Sequence, residues 1–232
     1  MKSETILYGL IGLLVGVIIG YVGSNYLNEQ YRAAPSSSGQ RGAVTQGAQG
    51  TAADGAGSSA GPQSDVAEMI QKARNEPTNF EAQMGAGGMF REIQRFEQAL
   101  EFYQRATTAR PTDVEALTRL GDTLFDLQRY AEAEVPYRRA LEQSPRDVIV
   151  RMDLGLTYFL RQPRNLDAAI REFQEALHID PRHEKTLQNL TAAQIEKGDL
   201  AAAKESLRQL ISVNPNNAGV STFEQKLGRN PR

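Results

Sequence analysis

The feature that most constrains this chain is a set of evenly spaced prolines. Pro77, Pro111, Pro145, Pro181 and Pro215 are separated by 34, 34, 36 and 34 residues, and a skeleton of small and apolar residues keeps the same period between them. From 114 to 145 that skeleton reads Leu117, Leu120, Gly121, Leu124, Ala133, Tyr137, Ala140 and Pro145. One period earlier it reads Gly87, Phe90, Ala99, Tyr103, Ala106 and Pro111, and one period later Leu154, Gly155, Tyr158, Ala169, Phe173, Ala176 and Pro181. Apolar positions at three- and four-residue steps share one face only in a helix. Each unit is therefore expected to be a helix, a tight turn and a second, antiparallel helix. Gly121, Ala133 and Ala140 let the helix axes approach, the leucines and Tyr137 fill the remaining space, and the proline, having no N–H to donate, stops the second helix.

This combination of period, small residues and closing prolines strongly resembles the tetratricopeptide repeat family. The resemblance implies an all-α fold, a superhelical solenoid of helix-turn-helix pairs whose concave face is lined by the first helix of each pair. Four units are expected at 80–113, 114–147, 148–183 and 184–215, with a capping helix at 64–79 before them and a capping segment and tail at 216–232 after them. Gly85, Gly87 and Gly88 should weaken the first helix of the first unit and make it the loosest. Pro136 falls inside a helix and should kink it. The two extra residues of the third unit, around Gln162, Pro163 and Arg164, belong in its internal turn, where Asn165 can cap the second helix. Thr191 and Gln194 replace the usual glycine and aromatic in the fourth unit, a departure that suits a terminal repeat.

The first third of the chain is of another kind. Between Glu4 and Glu29 lie 24 residues without a formal charge, and 6–26 is mostly Ile, Leu, Val and Gly. A helix of that length spans about 31 Å, the thickness of a hydrocarbon core, so 6–26 reads as a single transmembrane anchor behind a short tail at 1–5. A cleaved secretory signal is the rival reading, but no Ala-x-Ala site follows the long apolar run. Gly12, Gly16 and Gly20 recur every fourth residue and offer a smooth face on which two anchors could dimerise. The segment 27–63 is rich in Ala, Gly, Ser and Gln with few charges, and reads as a disordered, flexible linker. The expected placement is single-pass in the cytoplasmic membrane with the repeats on the periplasmic side.

Composition closes several functional classes. Without cysteine there is no disulfide, thiolate nucleophile or cysteine metal site, and a net charge of −2 with interleaved acids and bases argues against a nucleic-acid partner. His178 and His183 stand five apart, the wrong step for two ligands on one helix face, and Gly85, Gly87 and Gly88 lack the Lys and Ser or Thr of a phosphate loop. No catalytic, cofactor or metal constellation emerges, and the chain reads as a non-enzyme.

What the resemblance adds is a binding surface. Its positions fall on Met84 and Arg91 in the first unit, and on Arg119, Asp122, Phe125 and Asp126 in the second. Met152, Leu156 and Phe159 follow from the third, and Gln188, Ala192 and Ile195 from the fourth, so that the middle of the groove is expected to be apolar. Cochaperone members clamp a peptide carboxylate with lysine, arginine and asparagine at such positions. Here Met84, Gly88 and Asp122 stand where lysine and asparagine are needed, so that clamp is broken and a peptide or protein with apolar anchors is the expected partner. Phe125, Met152 and Phe159 are its expected contacts, unless they pack against neighbouring helices instead. Two functions fit: a membrane-anchored scaffold for assembly of an envelope complex, similar to the anchored repeat proteins of cytochrome c maturation and of pilus or secretion systems, or a structural protein that self-assembles through its anchor and repeats.

Overall fold

The computed structural model describes residues 62–228. The expected anchor at 6–26 with Gly12, Gly16 and Gly20, and nearly all of the expected linker, lie outside the described residues. Ten helices and no strand occur among the described residues: α1 (Pro62–Asn75), α2 (Phe80–Glu92), α3 (Phe96–Ala109), α4 (Val114–Asp126), α5 (Tyr130–Gln143), α6 (Val148–Leu160), α7 (Leu166–Ile179), α8 (Glu184–Lys197), α9 (Leu200–Val213) and α10 (Val220–Lys226). Helices α2 to α9 form four pairs, each pair packing on the next. None of the described helices is long and apolar enough to cross a membrane.

The prolines do more than stop helices. Each occupies the second position of a turn in which the residue two places later donates its N–H back to the residue before the proline. These bonds run from Asn79 to Glu76 (3.0 Å), Asp113 to Arg110 (3.3 Å), Asp147 to Ser144 (3.1 Å), His183 to Asp180 (3.2 Å) and Asn217 to Asn214 (3.2 Å). A φ preset by the ring suits that position. In the first three of these turns the last residue then caps the next helix through its side chain: Asn79 Oδ1 accepts from Ala82 N at 3.1 Å, Asp113 Oδ1 from Ala116 N at 2.9 Å and Asp147 Oδ1 from Val150 N at 3.0 Å.

Within a unit, the turn between the two helices closes with a second recurring bond. Arg95 N donates to Phe90 O at 2.8 Å, Arg129 N to Leu124 O at 2.8 Å and Asp199 N to Gln194 O at 2.9 Å. Each of these turns needs one left-handed residue, supplied by Gln94 (φ 59°), Gln128 (φ 59°) and Gly198 (φ 85°). Only glycine adopts that conformation without steric cost. In the third unit the extra residues enlarge this turn, as expected from the sequence. The closing bond survives as Asn165 N to Tyr158 O at 2.9 Å, and Asn165 Oδ1 caps α7 by accepting from Ala168 N at 3.1 Å.

Helix α5 continues as one helix through Pro136, whose ring is buried; apolar burial of the ring offsets the lost backbone bond. Gly85 and Gly87 of α2 are points of close contact. A Cβ on Gly87 would stand 2.7 Å from the Tyr103 ring, and one on Gly85 would stand 2.7 Å from Met69 Sδ. Gly121 and Gly155 repeat the arrangement beneath Tyr137 and Phe173, at 2.6 and 2.5 Å.

Both ends of the array are covered. Ile70 and Ala73 of α1 join Ala82, Phe90 and Tyr103, while Gln83 Nε2 ties α2 to α1 through Ala73 O (2.5 Å) and Glu76 O (3.0 Å). At the other end Phe223 and Leu227 close over Leu187, Leu207 and Leu210.

Candidate protein-binding face

The first helices α2, α4, α6 and α8 carry the residues expected to contact a partner, and the structure sorts them into three groups. Arg91, Asp122 and Asp126 come together across the first two units. Arg91 Nη1 lies 3.4 Å from Asp122 Oδ2, and Arg91 Nη2 lies 3.2 Å from Asp126 Oδ2. Asp122 also accepts from the Tyr137 hydroxyl at 3.0 Å. Burial disfavours the charge on Arg91, but Asp122 and Asp126 outweigh it and hold the guanidinium pKa above its ordinary value. Burial pushes the Asp122 carboxyl up, with Arg91 and Tyr137 opposing the shift. Arg119 lies outside this cluster, exposed and paired with Glu115 at 3.6 Å.

The second group is apolar. Met152 and Leu156 are each 2% exposed and Phe159 is 8% exposed, withdrawn by packing between units. Phe125 remains half-buried, its ring edge-on to Tyr130 with centroids 5.1 Å apart. Of the three aromatic and methionine side chains expected to meet a partner, Phe125 is thus the one that keeps surface. Met84 lies partly buried against the leading core, and Ala192 and Ile195 against the trailing one. In the third group, Gln188 accepts from Asn217 Nδ2 at 3.1 Å, which also donates to Glu184 at 2.6 Å, so the C-terminal cap engages this end of the face.

The expectation of an apolar middle misses Asp153. This residue stands on α6 between Met152 and Leu154, half-buried, and it is the one carboxylate of that helix. Burial pushes its carboxyl well above the usual range; Asp122 and Asp147 add to the shift, and Lys185 and Arg91 oppose it. A lone acid within an apolar helix was a visible signal, because such a position needs a reason to keep a charge. The two histidines are apart: His178 lies exposed near Glu175, and His183 Nδ1 stands 2.7 Å from Thr186 Oγ1 at the start of α8.

The folded arrangement resembles several solved structures. MamA from Desulfovibrio magneticus RS-1 shares 22% identity over 68% of this chain and 88% of its own, with a TM-score of 0.61. YrrB, described as a TPR protein with an unusual peptide-binding site, shares 20% identity over 70% of this chain and 83% of its own, with a TM-score of 0.65. PilF from Pseudomonas aeruginosa shares 18% identity over 72% of this chain and 74% of its own, with a TM-score of 0.59. No curated protein matches the chain. Tetratricopeptide repeat family models match residues 68–114 and 115–184, and a further one matches 160–227. With the recurring proline turns, the glycine contacts and these matches in agreement, the chain belongs to the tetratricopeptide repeat family.

Proposed function

We propose that this chain is a membrane-anchored scaffold that holds a protein partner on the face of α2, α4, α6 and α8 during assembly of an envelope complex of the cytochrome c maturation or pilus and secretion kind. The observation that carries the reading is that face itself. It runs through four units, and it keeps Phe125 half-exposed and the Arg91, Asp122 and Asp126 cluster at the surface rather than in the core. Groups of that kind give a protein surface aromatic area and oriented charge, the two ingredients of specific contacts. The peptide-binding site named for YrrB supports a peptide or protein partner for a solenoid of this shape. The uncharged run at 6–26 supports a membrane tether, and the short tail at 1–5 ahead of it is the basis for placing the repeats on the periplasmic side.

Crosslinking in intact membranes tests the proposal, comparing the full chain with its Phe125→Ala variant. One envelope protein captured by the full chain should be lost from the variant while the thermal melt of the repeats is kept. An unchanged set of captured proteins with folded repeats would remove this face from consideration.

A further inference from the structure

Asp153 stands out among the carboxylates of the first-helix face. Asp122 is served by Arg91 and Tyr137, Asp126 by Arg91, Glu115 by Arg119 and Glu184 by Asn214 and Asn217. The side chain of Asp153 has no hydrogen bond and no ion pair among the described residues; its hydrogen bond is through the backbone carbonyl, which accepts from Thr157 Oγ1 at 2.9 Å. The residue is half-buried, between Met152 and Leu154, which are each 2% exposed. A half-buried carboxylate without a contacting partner costs stability, and an apolar or amide side chain there would avoid the cost.

Resting on the reading of this face as a partner site, we propose that the partner segment carries a lysine or arginine whose cation pairs with the Asp153 carboxylate, together with an apolar side chain for Phe125. Charge complementarity selects a cation: Lys185 and Arg91 favour the charged carboxylate only through space, without contact, while Asp122 and Asp147 add negative potential, and a neutral donor would supply no opposing charge. A divalent metal would need several free oxygens. Asp122 and Asp126 are committed to Arg91, at 3.4 and 3.2 Å. A long basic side chain meets the need because it can lay its stem on the apolar flank and deliver only its head to the acid.

The test is a displayed library of random dodecapeptides, selected separately on the full chain in lipid nanodiscs and on its Asp153→Asn and Asp153→Glu variants. The wild-type and Asp153→Glu pools should converge on lysine or arginine at one fixed position, and the Asp153→Asn pool should not. A selected arginine peptide should bind Asp153→Asn about tenfold or more weakly, with the melting temperature of the variant equal to or above that of the wild type. The citrulline analogue of that peptide should bind both proteins alike. Equal basic-residue frequencies in the wild-type and Asp153→Asn pools would overturn the assignment to Asp153 while leaving the face as a peptide site. No enriched peptide from any folded chain would overturn both.

Discussion

In the first three repeat units a glycine of the first helix lies beneath an aromatic ring of the second: Gly87 under Tyr103, Gly121 under Tyr137 and Gly155 under Phe173. In the fourth, Thr191 and Leu207 hold the corresponding positions, and both are fully buried. The apolar or aromatic residue three positions after the glycine, Phe90, Leu124 or Tyr158, becomes Gln194, which accepts from Ser206 Oγ at 2.8 Å in the interior. Volume lost from the second helix has been returned on the first, and a polar pair satisfied within the core replaces an apolar contact. The contrast teaches that the repeat is specified by pairs of positions across the two helices. A single unusual residue in the fourth unit looks like decay of the pattern until its partner is placed opposite it.

The largest effect expected from breaking this contrast comes from Gly155→Thr. Its Cβ would arrive 2.5 Å from the Phe173 ring, and overpacking at a buried site costs about 3 kcal/mol. Adding Phe173→Leu copies the fourth unit and should recover more than half of that loss in urea unfolding. If the double variant is as unstable as the single one, the two pairs are not equivalent solutions.

A smaller effect is expected from Ser206→Ala, which leaves the Gln194 amide oxygen buried without its donor at a cost of about 1 to 2 kcal/mol. Combining it with Gln194→Leu should return the stability, since both polar partners are then gone. Failure of the apolar pair to recover would show that the polar contact does more than fill the position.

The smallest difference lies at the caps. Asp113 and Asp147 cap α4 and α6 through their carboxylates, whereas His183 begins α8 with no side-chain bond to the helix backbone. Replacing His183 with Asp should therefore stabilise the fourth unit by about 0.5 to 1 kcal/mol. Burial holds the His183 pKa below its ordinary value, with Lys185 acting the same way and Asp180 and Glu184 opposing. The unfolded chain then binds the proton first as pH falls. The stability contributed by neutral His183 is present above the unfolded histidine pKa of about 6.5 and declines as pH drops from there towards the folded value. His183→Asn should flatten that part of the stability profile between neutral and mildly acidic pH. A profile identical to that of the wild type would sink the assignment.

Much of the scaffold was legible in the residues because its requirements are local. Proline and glycine constrain the backbone wherever they occur, so the period, the pairing of helices and the place of the insertion could be read from Pro77 to Pro215 and from Gln162 to Asn165. Pro136 could be placed inside a helix from its position, but the burial of its ring depends on the packing around it. The face was harder. A family position says which side of a helix a residue occupies, but the depth to which Met152, Leu156 and Phe159 sink depends on neighbouring units. Asp153 was overlooked although a lone acid in an apolar helix is visible in the sequence; that no described side chain contacts its carboxylate is what spacing does not record.

The sequence by itself determined that this chain builds four helix pairs closed at both ends, since proline turns, glycine contacts and apolar periodicity act within one unit or between adjacent ones. Only the tertiary structure decided which groups of the first-helix face stay available. Arg91 reaches Asp122 and Asp126 from the preceding unit, Asn217 reaches Gln188 from beyond the last, and no described side chain makes a hydrogen bond or ion pair to the Asp153 carboxylate. Those relations depend on distances between residues far apart in the chain, and they exist only once the units have packed.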